Sequence, residues 1–153
     1  MATAITVIWG ALQLYISHRV VDTQFWHLTD KQTQALGAAL DKIPSEQRFS
    51  FTVRVVFANA QASTLATDLI DVFHHHGWVG VTGGQDTRLR PDLLGINFVI
   101  GINWERIDKD EPPHGTELFY ILKEAGIKSG AAWEPNFDDN SLQLAIGSRP
   151  PDW

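Results

Sequence analysis

The feature that most constrains this chain is a spacing that occurs twice. Leu65-x3-Leu69-x3-Phe73-x3-Gly77-Trp78 is matched by Leu118-x3-Leu122-x3-Gly126-Ile127. In each case apolar residues one turn apart mark one face of a helix, and a glycine supplies the left-handed exit that ends it. Runs of strand length flank both helices. Phe49, Phe51, Val53, Val55 and Phe57 alternate with Ser50, Thr52, Arg54 and Val56, the period of a half-buried strand. Trp78-Val79-Gly80-Val81 reads as a short second strand, Gly83-Gly84-Gln85-Asp86 as a turn, and 87–95 as a loop. The most apolar strand, 96–102, is expected at the centre of the sheet, with Ala131-Ala132-Trp133 and 142–146 completing it. The order β-α-β-β-α-β plus one strand predicts an α/β (α+β) domain, a ferredoxin-like two-layer sandwich with an extra C-terminal strand. The polar second face of the first strand suits helices on one side only; a Rossmann-like three-layer arrangement is the alternative.

Helix limits follow from local chemistry. Ser63 or Thr64 is expected to open the first of the paired helices, with Leu65, Leu69, Val72, Phe73 and His76 inward. The second spans 116–125. An earlier helix, 30–42, opens on the capping box Thr29-Asp30-Lys31-Gln32, stops before Pro44, and turns Leu36, Ala39, Leu40 and Ile43 inward.

At 153 residues the length suits one domain, which we place at 26–153 behind an appendage of residues 1–25. No charge occurs from Ala2 to Ser17. Ile5, Ile8, Trp9, Leu12 and Ile16 fall on one face at helical spacing, as in a helix packed against protein or a copy of itself. The alternative is a membrane anchor with Trp9, Tyr15 and Trp26 near the interface, although the run is shorter than the roughly 20 residues a span needs. Arg19 and Lys31 on its C-terminal side would then keep the domain cytoplasmic. A basic n-region and a cleavage site are lacking, so removal is not expected.

Composition removes several classes of function. With no cysteine, disulfides, thiolate nucleophiles and Cys-based metal sites are excluded. Twelve Lys+Arg against eighteen Asp+Glu give a net charge of −6, which argues against nucleic acid as a partner. There is no G-x-S-x-G, H-E-x-x-H or P-loop, and Gly77-x-x-Gly80-x-x-Gly83-Gly84 follows a helix where a phosphate loop would precede one.

The chain resembles the C-terminal domain of the LytR–CpsA–Psr cell-envelope proteins of bacteria over residues 51–149. The resemblance is carried by Val55-x-Phe57-x-Asn59, Gly77-Trp78-x-Gly80-Val81 and Leu144-Ala145-Ile146-Gly147, with Ala60 where that family tends to have glycine. It implies a small non-catalytic accessory module.

Candidate chemistry is sparse. His74-His75-His76 cannot close on one ion from a helix, because consecutive positions point about 100° apart. We therefore expect no metal and no cofactor, with His74 and His75 solvated at a helix C-terminus and His76 partly buried. Gln85, Arg88 and Arg90 form the expected anion site, since guanidinium forks suit phosphate or carboxylate. Glu105, Asp108, Asp110 and Glu111 read as a solvated loop, and Trp104 and Trp133 as strand-end aromatics.

The resulting expectation is a non-catalytic ligand-sensing or protein-interaction module. Its partner is a protein, a second copy or a small anion, and it is membrane-associated or self-assembling through residues 1–25. One alternative is a small hydrolase or transferase using Asp71 with His75, or the 105–111 carboxylates. The other is a structural assembly subunit.

Overall fold

The computed structural model describes residues 26–100, 115–133, 142–151 and 153. The expected contact residues Ile5, Ile8, Trp9, Leu12 and Ile16, the 105–111 carboxylates and Trp104 lie outside the described residues.

The capping box forms as expected. The Thr29 hydroxyl accepts from the Gln32 amide at 3.2 Å, and the Gln32 side chain accepts from the Thr29 amide at 3.0 Å. It opens α1, Asp30–Asp41, which buries Leu36, Ala39 and Leu40 and leaves Ile43 partly covered. Strand β1, Phe51–Val56, turns Phe51, Val53 and Val55 into the core.

Helix α2, Ala60–His75, starts earlier than Ser63 or Thr64. Asn59 is its cap, accepting from the Ala62 amide at 3.0 Å. The Ser63 and Thr64 hydroxyls instead donate back to the carbonyls of Asn59 and Ala60 at 2.9 and 3.0 Å. Gly77, at φ +80°, closes the helix.

Strand β2 is Val81–Asp86, so Gly83-Gly84-Gln85-Asp86 is strand, not turn, and Trp78-Val79-Gly80 is the connection. The remaining elements are β3, Ile96–Ile100; α3, Gly115–Glu124; β4, Gly130–Trp133; and β5, Gln143–Ile146.

The five strands lie in the order β2-β1-β5-β3-β4. β1 is parallel to β2 and β5, β3 is antiparallel to β5, and β3 is parallel to β4. The two-layer α/β architecture is the expected one, but the strands are not interleaved in the ferredoxin-like way. Each strand–helix–strand unit keeps its own two strands side by side. β5 enters between the units as the central strand, a place expected for β3, and all four of its residues are buried.

Helices cover one face. Leu65, Leu69 and Phe73 of α2, Leu118, Ile121 and Leu122 of α3, and the α1 stripe close over Phe51, Val53, Val55, Val81, Ile96, Leu144 and Ile146. Among the described residues the opposite face is covered only in part, by Leu89 and Leu93 of the 87–95 loop against Val56 and Ala145. No helix among the described residues is long and apolar enough to cross a membrane.

Two tryptophans belong to the core and not to an interface. Trp26 is 1% exposed. Trp78, equally buried, stands edge-on to Phe49 and Phe73 at 4.9 and 5.4 Å.

Candidate functional site

Alternation along β1 sends Thr52, Arg54 and Val56 to the face that no described helix covers. Their register partners there are Thr82, Gly84 and Asp86 of β2, and Gln143 and Ala145 of β5. This brings an arginine, an acid and an amide together on one partly covered surface.

Asp86, only 8% exposed, is held by Arg88 in three ways. The Arg88 amide donates to Oδ1 at 2.9 Å, Nε donates to Oδ1 at 3.0 Å, and Nη2 donates to Oδ2 at 2.7 Å. A carboxylate so far out of water needs such partners to stay ionised. The side-chain hydrogen bonds from Arg88 hold the Asp86 carboxyl below its ordinary value. Burial opposes them, while the Arg88 amide and the charges of Arg88 and Arg54 reinforce them. Asp86 is therefore a fixed negative charge, unsuited to giving up a proton near neutral pH.

Arg54 stands on the other side of Asp86, with Nε 3.7 Å from Oδ2. The same Nε donates to Gln143 Oε1 at 3.3 Å, and Gln143 is itself buried. Arg54 is 28% exposed at its side chain and Arg88 43%. Two guanidinium groups thus converge on one carboxylate, on a face that no described helix covers.

The structure does not bring the three expected anion ligands together. Gln85 pairs in register with Val55, so it belongs to the helix-bearing face. Arg88 lies on the opposite face and is engaged by Asp86, while Arg90 is exposed further along the loop. Arg54 and Asp86 were missed. The available signal was a lone charged residue at the middle of an alternating strand, which must have a polar neighbour across the sheet.

The 87–95 loop is stapled to the chain after β5. Ser148 donates to the Leu93 carbonyl at 2.8 Å, Gly95 to Ser148 at 2.9 Å, and Gly147 to Gly95 at 2.9 Å. The Asn59 amide side chain adds a bond to Ser148 Oγ at 3.0 Å. This fixes the segment that carries Arg88.

His74 and His76 take separate partners, and His74, expected to be solvated, is bonded within the chain. His74 Nε2 donates to the Val81 carbonyl at 2.7 Å, and His76 Nδ1 pairs with Asp41 Oδ1 at 2.6 Å. Asp71 and His75 are exposed on α2, lining an open recess with Thr33, Val72 and His76. Among the described residues no group of three or more His, Asp or Glu could hold a metal ion.

Comparison with protein-family models, curated proteins and solved structures finds no match to this chain. The reading of the site therefore rests on its geometry.

Proposed function

We propose that the chain is a non-catalytic binding module that takes an anionic group, a carboxylate or a phosphate, on the face of its sheet that no described helix covers. One observation carries this reading. Asp86 already accepts three hydrogen bonds from Arg88, so Arg54 is not required to satisfy it. Gln143 anchors Arg54 through Nε, and among the described residues the Arg54 Nη groups remain for an incoming acceptor. The planar fork suits two oxygens of one ligand, and a guanidinium oriented in advance loses less freedom on binding. Residues 1–25 supply the tether in this reading. Uncharged from Ala2 to Ser17, they hold the domain to a membrane from its cytoplasmic side or to another copy. The resemblance to a cell-envelope accessory module supports the same non-enzymatic role.

The test is thermal unfolding of the full chain with inorganic phosphate and with citrate as probes. Stabilisation of the wild type that is lost in Arg54→Gln supports the reading. An equal response in Arg54→Gln overturns it.

A further inference from the structure

The outer edge of the sheet carries a second, independent surface. Among the described residues, strand β2 has a neighbour on one side only, β1. Exposed strand edges are ordinarily blunted by Lys, Pro, a bulge or a covering segment. Val81–Asp86 contains no Lys, Arg or Pro, and Thr82, Gly83, Gly84 and Gln85 are all exposed. Its one charge, Asp86, is bound to Arg88. The flank of α2 beside it presents Ile70, which lies over Gly83, and His74, which bonds to the Val81 carbonyl.

The direction of the backbone groups follows from the ladder. The Thr52 amide donates toward β5, to the Leu142 carbonyl. Val53 therefore turns toward β2, where Thr82 and Gly84 face it, and Val81, Gly83 and Gln85 face outward. His74 reaches the Val81 carbonyl from that outer side. Among the described residues, Gly83 and Gln85 are left with edge-facing amides and carbonyls.

Gly84 is the informative residue. A glycine inside a strand weakens it and often marks a place where another backbone comes close. Gly83 has a close neighbour within the chain, since a Cβ there would meet Ile70 Cδ1 at 2.4 Å and that side-chain end would have to shift. Gly84 has none: its φ is not positive, and a Cβ built on it meets nothing within 4 Å.

The geometry points to antiparallel pairing of β2 with β2 of a second copy, about a two-fold axis through Gly84. In that register Gly83 faces Gln85 of the other copy and exchanges both backbone hydrogen bonds with it, twice by symmetry. Gly84 then opposes itself as the non-hydrogen-bonded pair, where Cα atoms come within about 4.5 Å and side chains crowd most. Thr82 faces Asp86, so no like charges meet, which matters for a chain whose net charge is −6. The result is one continuous sheet with the helices of both copies on the same face. It needs neither residues 1–25 nor the Arg54 site.

The chain has no cysteine, so single-cysteine variants of the full-length protein report on the register. Two Cα atoms about 4.5 Å apart lie within reach of a disulfide. Under mild oxidation in detergent, Gly84→Cys should convert mostly to a covalent dimer and Thr82→Cys should remain monomeric. Sedimentation in the same detergent should show Gly84→Lys in a smaller assembly than the wild type with unchanged circular dichroism, since a side chain there meets open space within one copy. A Gly84→Cys variant that does not cross-link, or one that cross-links no better than Thr82→Cys, overturns the pairing. So does a Gly84→Lys variant that associates as the wild type does.

Discussion

The indole of Trp26 stands edge-on to that of Trp153, with ring centroids 4.8 Å apart and planes at 82°. The first described residue and the last residue of the chain thus pack on each other beside the core. Trp26 is fully enclosed and Trp153 partly so. Trp26→Ala should cost about 3–5 kcal/mol, the range for deleting a buried aromatic. Trp153→Ala should cost less. A double-mutant cycle in urea should show coupling of about 0.5–1.5 kcal/mol, beyond burial alone. Strict additivity would mean that the two rings contribute only their separate burial.

Asp86 gives a pH signature. The hydrogen bonds from Arg88 depress its folded-state value below the ordinary 3.8, so between the two values the unfolded chain binds more protons. Stability from this group is therefore present above the unfolded value and is lost as pH falls through the folded one. The stability difference between wild type and Asp86→Asn should be constant near neutrality and shrink only in the acid range. A difference that instead changes between pH 6 and 8, in denaturation curves, would assign it to another group.

What could be read in advance was local, and what could not was long-range. Apolar spacing found all three described helices and four of the five strands, because burial on one face leaves a period in the sequence. The capping box at Thr29 was legible for the same reason, since both of its bonds close within four residues. The second strand is expected at Trp78-Val79-Gly80-Val81, because Gly83-Gly84 resembles a turn, and lies at Val81–Asp86. Its glycines answer to Ile70 and to an exposed edge, and neither appears in a window of neighbours. The site failed similarly. Gln85 and Arg88 are three apart in sequence, yet strand alternation puts Gln85 on the opposite face from the Asp86 that holds Arg88. Arg54 reaches Asp86 only because β1 and β2 are neighbours, and Gln143 only because β5 is inserted beside β1. Strand order has no periodic signature.

Gly147 should tolerate no side chain. A Cβ there would sit 2.0 Å from the Leu93 carbonyl oxygen, a backbone atom that cannot swing aside. The two segments are also joined by the hydrogen bonds of Gly147, Ser148 and Gly95. Gly147→Ala should destabilise by about 1–3 kcal/mol, as overpacking does. Hydrogen exchange should rise first at Gly95 and Ser148, whose amides make the staple. Because this staple holds the Arg88 loop, anion stabilisation should weaken with it. Wild-type exchange at both amides would show that the segments part without consequence.

The turn between β1 and α2 should respond in opposite directions to substitutions at adjacent residues. Ala58 has φ +60°, the left-handed region that costs a residue with a Cβ roughly 1–2 kcal/mol. Ala58→Gly relieves that strain but adds freedom to the unfolded chain, so a net gain of up to about 1 kcal/mol is expected. Asn59 caps α2 through its bond to the Ala62 amide and also reaches Ser148. Asn59→Ala removes both bonds, and loss of the cap alone costs about 0.5–2 kcal/mol. Thr64→Ala is the control. Its exposed hydroxyl only bonds back to Ala60 within the first turn, so removing it should leave stability within about 0.5 kcal/mol. Urea midpoints of the three variants should rank Ala58→Gly above Thr64→Ala above Asn59→Ala. A Thr64→Ala loss as large as that of Asn59→Ala would return the start of the helix to the serine–threonine pair.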